Sequence, residues 1–120
     1  MSQIIRTILE GMTEKECIVS ALKRMGYAVV DGSVSGYGKQ TAEANFHIKE
    51  MRSVGFMYNE SGYELVADFY NMPVTRTDFV YDLQGNYQLS ELEKAIPSNW
   101  KIDTVKTTKN MIEVELAERI

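Results

Sequence analysis

The sequence predicts an α+β fold: a two-layer sandwich in which a mainly antiparallel sheet of about six to seven strands is covered on one face by two helices. Three observations predict it. Residues 54–69 alternate apolar and polar side chains around a turn. Two stretches, one from Thr13 to Met25 and one from Thr75 to Ile96, carry apolar residues at helical spacing. Every link between adjacent strands is short, which favours antiparallel neighbours. The chain of 120 residues reads as one domain, 1–120, long enough to bury a core without staples.

The first segment, Ser2 to Leu9, is a short apolar strand. Thr13 then opens a helix. Thr13 and Glu16 have the spacing of a capping box, and Met12 and Cys17 that of a hydrophobic staple. Ile18, Ala21, Leu22 and Met25 make one buried stripe. Lys23 and Arg24 suit the negative end, and Gly26 supplies a left-handed stop. Tyr27 to Val30 is a short strand, broken by Asp31-Gly32-Ser33. Gly36 to Gln40 is a glycine loop carrying Lys39.

Thr41 to Lys49 reads as one strand, with Ala44, Phe46 and Ile48 inward and Glu43, Asn45, His47 and Lys49 outward. The central hairpin follows. If Tyr58 faces Tyr63 across the turn Asn59-Glu60-Ser61-Gly62, then Phe56 faces Leu65 and Val54 faces Ala67. The same register sets His47 beside Gly55 and Gly55 beside Val66, with Asn45, Met57 and Glu64 in the next row. Three strands thus form a meander.

Met72-Pro73 ends this segment. Thr75 with Asp78 starts a second helix, on which Phe79, Val80, Leu83 and Tyr87 recur, then Leu92, Ala95 and Ile96. Gly85-Asn86 interrupts the pattern and predicts a kink or a break. Pro97 closes it. Trp100, Ile102 and Thr104 alternate as a strand, Thr107 to Asn110 turn, and Ile112, Val114 and Leu116 form a last strand.

Composition limits function. The net charge is −4 and the pI about 5.0, which weighs against a protein whose main work is neutralising phosphates. Cys17 is the only cysteine, so no internal disulfide is possible, as fits a reducing, cytoplasmic compartment. No stretch approaches the roughly 18 apolar residues that a membrane-spanning helix needs, and the N-terminus does not read as a signal peptide. The seven methionines are adaptable core filler more often than a surface that re-packs around partners.

At the meander the sequence resembles the hypothetical chloroplast reading frame thirty-five family of plastids, cyanobacteria and other bacteria, a domain of unknown function. Gly36-Tyr37, Gln40-Thr41 and Ala42-Glu43 carry the looser part. Gly55-Phe56, Tyr58-Asn59 and the run Tyr63-Glu64-Leu65-Val66-Ala67-Asp68 carry the more specific part. Tyr58 stands where that family usually has Trp, and Met57 where it has a basic residue. The resemblance implies the fold and a cytosolic or organellar compartment. It supplies no reaction.

Candidate chemistry is sparse. His47 is the only histidine, so one chain cannot build a centre of two or three histidines. Cys17 and His47 face opposite sides of the sheet, which separates the one available thiol–imidazole pair. A loop with glycines and a cation can cradle an anion, but Gly36 to Gln40 lacks phosphate-loop spacing. No motif implies a cofactor or a metal.

Two function classes remain. The first is a non-catalytic binding or adaptor module using the outer sheet face (Asn45, His47, Met57, Glu64, Val66, Asp68) or an edge strand, with a protein partner or its own copy as occupant. Met57 and Val66 motivate it, because they place apolar area on a polar face. The second is a small enzyme or anion sensor using Tyr37, Lys39 and Gln40 of the loop with neighbouring acids. A nucleic-acid binder ranks third, held down by the acidic balance.

Overall fold

A computed structural model describes residues 3–108 and 111–119. The elements run β1 (Ile5–Ile8), α1 (Lys15–Arg24), β2 (Val29–Asp31), β3 (Val34–Ser35), β4 (Thr41–Ala42), β5 (Phe46–Ile48), β6 (Met51–Asn59), β7 (Gly62–Ala67), α2 (Arg76–Ala95), β8 (Trp100–Thr108) and β9 (Met111–Glu118). The class is α+β and the pairing antiparallel throughout.

Among the described residues the strands divide into three sheets. The main sheet has five strands in the order β1-β7-β6-β5-β2, and two ribbons stand apart, β3-β4 and β8-β9. The expected single sheet of about six to seven strands is therefore split. Pairing in β6-β7 follows the sequence reading: Tyr58 meets Tyr63, Phe56 meets Leu65, and Val54 meets Ala67. Gly62 closes the turn with φ of 125°, a left-handed value that glycine adopts without cost.

Both helices cover one face. Ile18, Ala21 and Leu22 of α1 and Phe79, Leu83 and Tyr87 of α2 enclose Phe46, Ile48, Val54, Phe56 and Leu65. Each of the large side chains in that cluster contributes about 1.5–3 kcal/mol on burial, so this layer outweighs every surface ion pair. Phe46 stacks on Phe56 with ring centroids 5.1 Å apart.

Helix α1 starts differently from the capping-box expectation. Glu14 is its N-cap and forms no side-chain cap bond. Instead the Tyr87 hydroxyl, delivered by α2, accepts from the backbone N–H groups of Thr13 (3.1 Å) and Glu14 (3.2 Å). A tertiary acceptor thus takes the Thr13 N–H that the Glu16 carboxylate was expected to serve in a capping box, together with the N–H of the N-cap residue Glu14. Gly26 ends the helix with φ of 92°, as its position predicts.

Helix α2 starts as expected: the Thr75 hydroxyl accepts from the Asp78 N–H at 3.2 Å. The expected break at Gly85-Asn86 does not occur, and one helix spans Arg76–Ala95. Gly85 serves a different need. A Cβ there would lie 2.6 Å from Cδ1 of Ile112 in β9, so the missing side chain lets the β8-β9 ribbon approach the helix. Leu89, one turn further on the same side, is buried yet belongs to neither apolar cluster around the main sheet.

The expected turn at Thr107–Asn110 is narrower, because Thr107 and Thr108 still pair within β8; its last two positions lie outside the described residues. Among the described residues no helix is long and apolar enough to cross a membrane.

Candidate functional site

The face of the main sheet away from the helices carries His47, Gly55, Met57, Glu64 and Val66, in the register the sequence predicts: His47 beside Gly55, Gly55 beside Val66, and Met57 beside Glu64. It is not an open surface. The strand expected from Thr41 to Lys49 is interrupted at Glu43–Asn45, and its first part pairs with Val34 and Ser35 instead. Asn45 makes the interruption. Its side-chain oxygen accepts from the Tyr58 N–H at 2.6 Å, and its own N–H donates to Phe56 O at 2.8 Å. Ala44, expected on the helix side, packs on the opposite side with Val34 and Val66.

The β3-β4 ribbon folds over the sheet at this point. Val34 and Val66 are wholly buried, with Ile4, Ala42 and Met57 around them. Gly55 makes the contact possible: a Cβ there would lie 2.3 Å from Cγ1 of Val34 and 2.9 Å from the Phe46 carbonyl oxygen. The apolar area predicted at Val66 is thus covered by the chain itself, and Met57 is half-buried.

At the end of β7 this lobe is held by one carboxylate. Asp68 is only 2% exposed. Its two oxygens accept from separate backbone amides, Oδ2 from Tyr37 N (3.3 Å) and Oδ1 from Tyr70 N (2.9 Å). Its main chain exchanges two further bonds with Ser53, from Asp68 N to Ser53 O (2.9 Å) and from Ser53 Oγ to Asp68 O (2.8 Å). Arg76, from α2, donates to Ala67 O (2.7 Å) and to Thr7 Oγ1 (3.0 Å), and its guanidinium lies 5.1 Å from the Phe69 ring centroid. Burial lowers the pKa of Arg76, and the Asp68 charge opposes that shift.

The consequence is a fixed pair of aromatic rings in solvent. Tyr37 and Tyr70 meet edge to face, centroids 4.8 Å apart, and remain 58% and 46% exposed. Lys39 and Gln40 stand exposed in the same loop. Gly36 N donates to Gln40 O at 2.8 Å, so the loop closes on itself. The amides of Gly36 and Tyr37 are therefore committed, one to the Gln40 carbonyl within the loop and the other to Asp68.

The remaining candidates are dispersed. Asn45 is exposed and committed to Tyr58; His47 is half-buried, its Nδ1 3.2 Å from Gly32 O. Glu64 pairs with Arg6 at 3.4 Å. Cys17 belongs to the helix-side core, where its thiol donates to Glu14 Oε2 at 3.3 Å. Burial, and then the Glu14 carboxylate, push that thiol upward, which makes it a poor nucleophile. Among the described residues no three His, Cys, Asp or Glu side chains converge as metal ligands would.

Sequence reasoning passed over Tyr70 and Arg76. Tyr70 had a local signal: an aspartate whose carboxylate caps the amide two residues on is a recurrent turn, and Asp68 does this. Arg76 had none, since its partners come from β1 and β7.

The protein family described as "Protein of unknown function (DUF1257)" matches residues 21–110. The chain belongs to that family. Within the DUF1257 match lie the β3-β4 ribbon, the meander, Asp68, Tyr37 and Tyr70. Neither a curated protein nor a solved structure matches the chain.

Proposed function

We propose that this DUF1257 protein is a non-catalytic binding or adaptor module, and that the Tyr37–Tyr70 pair with Lys39 is where it grips a protein partner. One observation carries the reading: a buried carboxylate, Asp68, spends both oxygens on holding the backbones of two solvent-exposed tyrosines. Tyrosine is enriched among residues that dominate binding energy, and rings already held in place lose less entropy on association. The outer sheet face contributes as the support of this rim rather than as the contact itself, since Val34 covers its centre. The anion-sensor alternative has less behind it, because two of the loop's amides, those of Gly36 and Tyr37, are spent on Gln40 and Asp68.

A cytoplasmic location is supported by the single cysteine, Cys17, being free and buried. Kinship with the hypothetical chloroplast reading frame thirty-five family is supported by the run Tyr63 to Asp68, which lies within the matched residues.

The test is affinity capture from cells with wild-type protein, Tyr37→Ala/Tyr70→Ala, and Lys23→Ala as a remote control, after thermal unfolding has shown that all three are folded. Loss of specific captured proteins from the double variant alone supports the proposal. An identical set from all three sinks it.

A further inference from the structure

The main sheet ends in two edge strands of different character. β2 is three residues long and terminates in Asp31, whose side chain lies 4.0 Å from Lys15 Nζ. A short strand with a charge at its end is a poor template for another strand. β1 is different. It reads Ile5-Arg6-Thr7-Ile8, holds no proline, and leaves Ile5 46% and Ile8 69% exposed. Among the described residues no strand pairs with its outer side.

The direction of its backbone groups follows from register. β1 pairs with β7 so that Thr7 opposes Leu65, and continuing that register sets Leu9 opposite Tyr63, where Leu9 N donates to Tyr63 O at 3.0 Å. In an antiparallel ladder alternate residues turn their N–H and C=O groups to the same side. Leu9, Thr7 and Ile5 therefore bond toward β7, and Arg6 and Ile8 point theirs outward.

We infer that β1 is a self-association edge, at which a second copy of this chain adds its own β1 in antiparallel register around a two-fold axis at Thr7. That register sets Arg6 opposite Ile8 of the partner subunit, and Ile8 opposite Arg6 of the partner subunit. All outward N–H and C=O groups of both residues are then bonded. A two-fold on Arg6 instead would oppose two like charges, which is destabilising on one sheet face. In the Thr7 register the Arg6 stem covers exposed Ile8, and the Arg6 charge keeps its contact with Glu64. The contact is isologous and closes at two copies, giving a continuous sheet of two main sheets edge to edge. It is short compared with the roughly 1,200 Å² of a stable interface, so the dimer is weak and depends on concentration. This inference is independent of the tyrosine pair, which none of its groups touches.

Sedimentation equilibrium of the full chain over about a hundredfold range of concentration tests it. The expected result is a mass that rises toward two chains. Ile8→Pro removes one outward N–H per copy without touching the β7 ladder, and weakens association about tenfold. Ile8→Lys, which keeps the backbone, weakens it as well. Amide exchange at Arg6 and Ile8 slows as concentration rises, whereas Thr7 is protected throughout. A single-chain mass at every concentration overturns the inference. So does a dimer that Ile8→Pro and Ile8→Lys both leave unchanged.

Discussion

Gly55→Ala is the sharpest perturbation of the covered sheet face. The added methyl meets Val34 Cγ1 at 2.3 Å, the Phe46 carbonyl oxygen at 2.9 Å and Ala44 Cβ at 3.2 Å. Val34 is fully buried and has no solvent to swing into, and the carbonyl belongs to the sheet. Overpacking of this kind costs about 1–3 kcal/mol. Removing a glycine from a strand returns about 0.5–1 kcal/mol of that. The net expectation is a loss of about 1–2 kcal/mol, or a fall in Tm of roughly 4–8 °C for a chain of this size. Val34→Ala alone is destabilising through its cavity. In the double variant one collision is relieved, so the two effects couple favourably by about 1 kcal/mol. Urea unfolding followed by far-UV circular dichroism on the four proteins measures the cycle. Strict additivity, or a Gly55→Ala protein as stable as wild type, would show that nothing lies on Gly55 and that the outer face is open.

Three further outcomes are expected. Tyr87→Phe removes the oxygen that two amides of the α1 start share and costs about 1–3 kcal/mol, whereas Thr13→Ala is nearly neutral; the reverse order in chemical denaturation would restore the capping box. Gly85→Ala gains about 1 kcal/mol of helix propensity while displacing only the flexible tip of Ile112, so it is neutral or stabilising, but Gly85→Phe lifts the β8-β9 ribbon and shifts the emission of Trp100, the one tryptophan. The Glu14 carboxyl is held below its ordinary pKa by the Cys17 thiol first and Lys94 second. Its contribution is therefore present above the unfolded pKa and lost as pH falls through the folded one. Glu14→Gln should flatten the acid limb of the stability curve, and an unchanged limb would refute the assignment.

Local chemistry made several parts of this protein legible. Alternation from Val54 to Phe69 determined strand faces and register, because a period of two leaves one arrangement that buries Val54, Phe56 and Leu65 together. Thr75 and Gly26 marked a helix start and a helix stop through bonds and angles that reach only a few residues. Within the candidate site, Tyr37 and Asp68 were both singled out from sequence, although nothing in the chain order joined them.

What the tertiary structure alone decided concerns glycines and polar groups whose partners are distant in sequence. Gly85 reads as a helix breaker and Gly55 as one position on the outer sheet face, yet each is a gap that another segment fills, Ile112 in one case and Val34 in the other. A missing side chain announces that something can come close without saying what. The same holds for the start of α1, where the Tyr87 hydroxyl holds the amides of Thr13 and Glu14, and for Asp68, which an alternating pattern turns outward but which the β3-β4 loop seals in. Side-chain period and turn chemistry act over a few residues and can be read in order. Which surface is left bare depends on long-range contacts that close only when the chain is folded.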